Sequence, residues 1–318
     1  MIDYIRVTQP EPHGIRSRQL LSAHPELRDL AGPAPRSAAW TAALAATQIG
    51  LAIALRDSRW VVWLPIAYLV GATIDHALWV LIHECSHNLV FRSRTGNRLV
   101  AIAANLPLVV PSAISFCKYH LLHHRHLGEL GLDPDVPGPV ESRVVGHSSL
   151  GKTVWVAGLA FVQGAIRPSR LKRRKAVRFF DTWTVVNIVV QAAAMIALVA
   201  GWGLAPLKYL SVSTIVALGL HPLGARWIQE HFVFVPGQET YSYYGPMNRL
   251  CFNMGYHNEH HDLVTIPWLR LPRVRQLAPE FYDTLYAHRS WTRLLLRFLF
   301  DPAVTLRSRI VRPDRDPA

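Results

Sequence analysis

Four apolar stretches in two close pairs constrain this 318-residue chain more than any other feature. Residues 38–55 contain no charge, and residues 60–82 are broken only by Asp75 and His76. Residues 183–203 form the third stretch and residues 204–225 the fourth, which Lys208 and His221 interrupt. Each approaches the ~20 residues that a helix needs to cross the hydrocarbon core of a bilayer. Such runs also occur as buried helices of large soluble proteins. Within each pair, however, only a few residues intervene, and that favours helical hairpins crossing a membrane. The expected fold is an all-α membrane protein with four transmembrane helices in two hairpins.

Charge sets the expected orientation. The formal net charge is +13, yet the two tight connections hold only Arg56, Arg59 and Lys208 of the 34 basic residues. The others lie in the N-terminal, middle and C-terminal segments, which the positive-inside rule places in the cytosol. Residues 1–36 then form a cytosolic lead-in, and residues 83–182 and 226–318 form a cytosolic helical cap, within one domain spanning 1–318. The basic run Arg167, Arg170, Lys172, Arg173, Arg174, Lys175 and Arg178 precedes the third span. It reads as a patch against anionic headgroups. No nucleic-acid module accompanies it, so no nucleic-acid partner is expected.

Pro107 and Pro111 break the apolar segment 105–111, which is too short to span and suits an interfacial or re-entrant turn. Residues 153–166 read as interfacial, residues 131–139 as a loop, and residues 291–300 as a helix lying on the membrane or the cap. The three cysteines, Cys85, Cys117 and Cys251, form no CxxC and fall on the expected reducing side, so disulfides are not expected. The first thirty residues lack an apolar core of a leader, and Ile2 excludes N-myristoylation.

Eight of the 16 histidines lie in three short windows: His83-Glu-Cys-Ser-His87, His120-Leu-Leu-His123-His124 and His257-Asn-Glu-His260-His261. Residues four apart on a helix are separated by about 40° and residues three apart by about 60°, so each window can present its rings on one face. Neutral imidazole is the commonest protein ligand of transition metals. Eight of them exceed the needs of one four-coordinate ion and suit two. Zinc would suit hydrolysis. Iron suits oxygen activation at an unactivated carbon, which a site beside lipid tails favours.

The three windows together resemble the membrane-bound desaturase and hydroxylase superfamily. Further motifs resemble the sphingolipid Δ4-desaturase (dihydroceramide desaturase) family: His83-Glu84 to Asn88, Ala104-Asn-Leu-Pro107, Tyr119-His120 to Arg125, Leu127-Gly128 and Gly219-Leu-His-Pro222. Most specific are Glu239-Thr-Tyr-Ser-Tyr-Tyr-Gly-Pro-Met-Asn248, Phe252-Asn253 and Gly255-Tyr-His-Asn-Glu-His-His-Asp262. The likeness runs from about residue 8 to about 312. It implies a four-span fold with a cytosolic cap, a centre of two iron ions, and insertion of a trans C4–C5 double bond into the sphingoid base of dihydroceramide-like lipids. Some members of the family also hydroxylate C4. Carried over motif by motif, the catalytic and metal-ligating residues are His83, His87, His120, His123, His124, His257, His260 and His261. His231 is a ninth metal ligand by likeness to the wider superfamily. His126 replaces the tyrosine of many members, and the N-terminal glycine of eukaryotic members is missing.

No electron-transfer module is legible, so a separate donor is expected, a b-type cytochrome or a ferredoxin. His221 is read as structural or supporting, and His76 either as supporting the centre or tunnel or as a plain interhelical hydrogen bond. Glu84, Glu230, Glu259 and Asp262 either orient imidazoles or face solvent. Tyr241, Tyr243 and Tyr244 line an entrance or form an interfacial belt. His13, His24, His147 and His288 are read as surface histidines. Four other functions stay in view. A lipid hydroxylase or an acyl-lipid desaturase would use the same centre. A zinc metalloprotease would use the literal HExxH of 83–87 but leave both HxxHH windows idle. A metal carrier would hold its site near the bilayer midplane.

Overall fold

The computed structural model describes residues 3–173, 178 and 180–313. Arg174 and Lys175 of the basic run lie outside the described residues. The chain is mostly helical, and the strands Ile5–Arg6 and Ile310–Val311 pair in parallel. This pairing ties the lead-in to the C-terminal segment.

Two long helices have polarity reversed relative to a soluble protein. In Arg36–Ala54 the buried stripe is Ser37, Thr41, Ala45, Gln48 and Ala52, while Trp40 on the outside is 49% exposed. In Thr182–Trp202 the buried positions are Thr184, Asn187, Gln191 and Leu198, whereas Val185, Val189 and Ile196 are exposed. In both helices polar residues face the protein; branched apolar residues face outward in Thr182–Trp202 and mostly alanines with Trp40 in Arg36–Ala54, as expected where the surroundings are themselves apolar. The third long helix, Trp60–Ser86, is mostly buried. At 1.5 Å per residue it is about 40 Å long, longer than a ~30 Å hydrocarbon core, so one end can project beyond the core. Gly71 lets it approach the helix Ala205–Leu218: a Cβ there would lie 2.2 Å from Ser213 Oγ and 2.8 Å from the Tyr209 hydroxyl.

These three helices are long and apolar enough to cross a membrane, and five segments qualify if each bent pair counts once. The expected fourth span is not one continuous helix. Ala205–Leu218 stops after 14 residues, about 21 Å. Gly219 then leaves helical geometry, Pro222 brings no N–H, and a 3-10 turn Pro222–Ala225 leads into the short helix Arg226–His231.

The break expected near Pro107 and Pro111 is a bend of 116° between Arg94–Leu108 and Ala113–Arg125. Val109 adopts positive φ there. Asn105 satisfies the freed backbone: its Nδ2 donates to Val110 O at 2.7 Å, and its Oδ1 accepts from the N–H of Ser112 and of Ala113, both at 2.9 Å. Irregular backbone in apolar surroundings requires such internal partners. Ser149–Ala157 and Leu159–Leu171 make the second bent pair, at 60°.

Candidate metal centre

The helices deliver histidines to one place. His83 lies in the last turn of Trp60–Ser86 and His87 caps its end. His120, His123 and His124 share the helix Ala113–Arg125, His231 ends Arg226–His231, and His257, His260 and His261 come from His257–Asp262. That six-residue helix is buried throughout, and its non-histidine side chains anchor it. Asn258 accepts from Arg16 at 2.9 Å and donates to Thr240 O at 3.1 Å. Glu259 accepts from Ser242 at 2.7 Å and Tyr244 at 2.6 Å. Asp262 binds His13 and Arg16, both at 2.7 Å, and accepts from Tyr282 at 3.0 Å.

All nine histidines fall into two adjoining groups. One ligand nitrogen from each of His83, His87, His120, His124 and His260 lies within 4.8 Å of the others, and the same holds for His123, His231 and His261. His257 joins the second group, with Nε2 3.0 Å from Nε2 of His231. The rings of His124 and His261 stack across the divide at 4.2 Å.

Proton bookkeeping shows that imidazoles alone cannot satisfy this packing. His120 Nε2 is 2.7 Å from His87 Nε2 and 2.9 Å from His124 Nε2. His231 Nε2 is 3.0 Å from both His123 Nε2 and His257 Nε2. A ring nitrogen has one proton or one in-plane lone pair, so neither His120 nor His231 can serve two such neighbours well. Both nitrogens of His83, Nδ1 of His257 and of His260, and Nε2 of His261 are buried with no partner among the described residues. A cation in each group removes the first problem, because the crowded Nε2 lone pairs can then all face it, and it also gives a partner to one nitrogen of His83 and to Nε2 of His261. Burial lowers the pKa values of His231, His257, His260 and His261 well below the ordinary value, helped by neighbouring imidazoles. It lowers His87 to about 3. These five rings are therefore neutral, the form that binds a metal. The donor set fits two nitrogen-bound transition metals.

Asp133 completes the geometry. Its Oδ1 lies 2.9 Å from His123 Nδ1 and its Oδ2 accepts from Gly128 N at 2.8 Å. Burial works to raise its pKa, but the pull of His123 prevails with help from Arg309 and Gly128 and holds the carboxyl at about 2. A carboxylate on Nδ1 leaves Nε2 free to face a metal. Asp133 lies in a loop ten residues after His123, and only the expectation that ligating imidazoles need such partners could have singled it out. His231 Nδ1 rests 3.3 Å from Glu239 O.

Other expected residues are placed differently. Glu84 accepts from Trp268 N at 3.1 Å, and Glu230 pairs with Arg226. With Glu259 and Asp262 they are buried, neither exposed to solvent nor hydrogen-bonded to an imidazole of the nine. His76 accepts from Arg226 Nε at 3.2 Å, so a path His76–Arg226–Glu230 ends 3.8 Å from His257 Nδ1. His221 stands apart from the centre, where its Nδ1 accepts from Leu223 N at 3.2 Å. Tyr241 and Tyr243 are buried, not interfacial: the Tyr241 hydroxyl donates to Gln238 O at 2.8 Å and Tyr243 stacks on Trp291 at 3.9 Å. Tyr244 holds Glu259. His13 and His288 are buried, not on the surface. His147 is exposed, as expected, and His24 is partly exposed.

A cavity of about 240 Å³ adjoins the centre, with Trp79, Phe116, Tyr119, His120 and Trp227 in its wall.

Comparison with known proteins agrees with this geometry. The fatty acid desaturase family model matches residues 58–307, and the sphingolipid Delta4-desaturase model matches residues 2–36. The chain is 42% identical over 308 residues to a sphingolipid delta(4)-desaturase of Oryza sativa subsp. japonica, covering 96% of this chain and 92% of the relative. It is 41% identical over 317 residues to one of Drosophila melanogaster, covering 98% and 96%. It is 39% identical over 312 residues to the sphingolipid delta(4)-desaturase/C4-monooxygenase of Homo sapiens, covering 98% and 95%.

Proposed function

Because the chain belongs to the sphingolipid Δ4-desaturase branch of the fatty acid desaturase family, we propose that it removes one hydrogen from each of C4 and C5 of a dihydroceramide-like lipid to leave a trans double bond. Dioxygen, two electrons and two protons are consumed with the two substrate hydrogens, and two waters leave. Two iron ions, one in each histidine group, supply the one-electron chemistry that this oxidation of an unactivated carbon needs. His83, His87, His120, His124 and His260 would hold one ion, and His123, His231, His257 and His261 the other. Asp133 fixes the His123 ring so that its Nε2 faces inward. The polar side chains of His257–Asp262 fix the position of that helix. The apolar wall of the adjoining cavity, Trp79, Phe116 and Trp227, keeps water from the reacting carbons.

The observation that carries this reading is the convergence of nine imidazoles into two groups beside an apolar cavity. The apolar outward faces of the long helices support a multi-pass membrane protein built from two hairpins. The near absence of basic residues from the tight connections supports a cytosolic cap and active site. Electrons then come from a separate cytosolic-side donor, a b-type cytochrome or a ferredoxin. The human relative's name includes a C4-monooxygenase, which favours hydroxylation at C4 as a second outcome of the same centre.

Lipid mass spectrometry after expression in a host supplied with dihydroceramide tests the reading. A product lighter by two hydrogens is expected, and one heavier by an oxygen marks the monooxygenase. Dihydroceramide left unchanged by iron-loaded protein with oxygen and reductant would overturn it.

A further inference from the structure

One ring of the second histidine group lacks what two of its neighbours have. His123 rests its Nδ1 on Asp133 at 2.9 Å, and His231 rests its Nδ1 on Glu239 O at 3.3 Å. His257 Nδ1 is buried with no partner among the described residues. The carboxylate of Glu230 stands 3.8 Å from it, beyond hydrogen-bond range. The other nitrogen of His257, Nε2, lies within the group, 3.0 Å from Nε2 of His231. A neutral imidazole has one N–H and one lone pair in its plane. When the Nε2 lone pair faces a metal, the proton sits on Nδ1, and a buried N–H requires an acceptor.

Glu230 is held where it can serve. It pairs with Arg226, one turn earlier on Arg226–His231, and Arg226 Nε donates to His76 Nε2 at 3.2 Å. A guanidinium can only donate. His76 Nε2 therefore accepts, and its proton lies on Nδ1, 3.4 Å from Ala217 O. His76 is fully buried in Trp60–Ser86, the helix that also carries His83, and Ala217 belongs to Ala205–Leu218. Contacts thus run from two apolar helices through His76, Arg226 and Glu230 to the edge of the second histidine group. Ionisable side chains buried in a membrane helix usually serve a function, and the oxidation of the lipid gives none to His76.

We propose that Glu230 accepts the His257 Nδ1–H once the second group holds its metal, and that Arg226 and His76 are positioning residues that fix Glu230 for this contact. This rests on the two-iron reading above and extends it to side chains that hold neither metal nor lipid. The carboxylate and Nδ1 have to close by about 0.9 Å to reach a normal hydrogen bond of ~2.9 Å. The contact fixes the tautomer of His257 and raises the basicity of its Nε2, as Asp133 does for His123. A plain interhelical tie between His76 and Arg226 would steady the fold as a whole and favour neither histidine group.

The test counts cobalt(II) bound at equilibrium by the metal-free full chain in detergent. The wild-type chain should take up two ions. Glu230→Gln keeps the size and loses the charge. It should raise the Kd of one ion about ten- to a hundredfold and leave the other unchanged. In the proton NMR spectrum of the cobalt-loaded protein, one solvent-exchangeable imidazole N–H signal shifted by the metal should move or vanish, which a loss of packing alone does not produce. His76→Leu should weaken the same ion. His76→Gln, which again offers an acceptor to Arg226 and a donor to Ala217 O, should restore it. Unchanged affinity for both ions in Glu230→Gln overturns the proposal, and so does an equal weakening of both. Should Glu230→Gln fail to fold, the two His76 variants decide: equal binding by His76→Leu and His76→Gln overturns the proposal. A wild-type chain that binds fewer than two cobalt ions overturns the two-metal reading itself, and the proposal with it.

Discussion

At the scale of single residues the centre separates side chains that bind from those that hold the binders in place. His124→Ala and His257→Ala each remove one nitrogen, from different groups, and each should abolish turnover. Full activity in either variant would remove that residue from the ligand set. Asp133→Asn keeps an oxygen near His123 Nδ1 but loses the charge. Loss of such a supporting carboxylate typically lowers metal affinity or activity ten- to a hundredfold. Iron content measured against free iron should therefore fall by about that factor while the helical signal stays intact. An unchanged iron isotherm would make the Asp133–His123 contact incidental. All nine converging histidines were legible in the sequence, eight by spacing and resemblance and His231 by resemblance alone, because metal-ligand spacing is a local property. Asp133 was not, since its partnership depends on how a loop folds back over ten residues. His13 and Tyr241 were misjudged for a related reason. The burial of His13 comes from a neighbour distant in sequence, Asp262, and the Tyr241 hydroxyl is taken up where the chain turns back at 234–238.

At the scale of elements, positions were legible where composition alone decides them and failed where backbone geometry does. The reversed polarity of Arg36–Ala54 and Thr182–Trp202 follows from their residues. The early end of Ala205–Leu218 depends on Gly219, whose neighbours leave no room for a side chain: a Cβ would lie 2.9 Å from Val156 O and 3.0 Å from Ile215 O. Hydropathy alone does not register that. The 116° bend depends on Asn105, which serves three backbone groups and also accepts from Asn187 Nδ2 at 3.1 Å. Asn105→Ala leaves the Ala113 N–H and the Asn187 Nδ2 without an acceptor, whereas the Ser112 N–H still donates to Val110 O at 2.8 Å. At roughly 1–3 kcal/mol for each of these two buried orphans, the loss should be about 2 kcal/mol or more. Thermal unfolding in detergent should show a clear drop in Tm, with iron lost because Ala113–Arg125 carries three of the nine histidines. An unchanged Tm would mean that water or lipid headgroups already serve the bend.

At the scale of the whole molecule, folding and metal binding share the same protons. His87, His231, His257, His260 and His261 have folded-state pKa values held below the ordinary value by burial and by neighbouring imidazoles. Below about pH 6.5 the unfolded chain therefore binds more protons than the folded one, and stability falls as pH falls, until the folded-state pKa values are reached. The slope approaches about 1.4 kcal/mol per pH unit for each such histidine. Metal binding does not reverse the sign, since a ligated imidazole is also unprotonated. Protons thus compete poorly for the rings while the fold stands, and compete well once it opens. This couples the two events: iron should leave the protein in the same acid transition that destroys its helical structure. Acid titration of the holoenzyme in detergent, followed by circular dichroism and by chelator-trapped iron, should give coincident midpoints below pH 6.5. Iron appearing in the chelator while helicity persists would show that the imidazoles titrate individually in the folded state, and the centre would then be far more open to water than this packing allows.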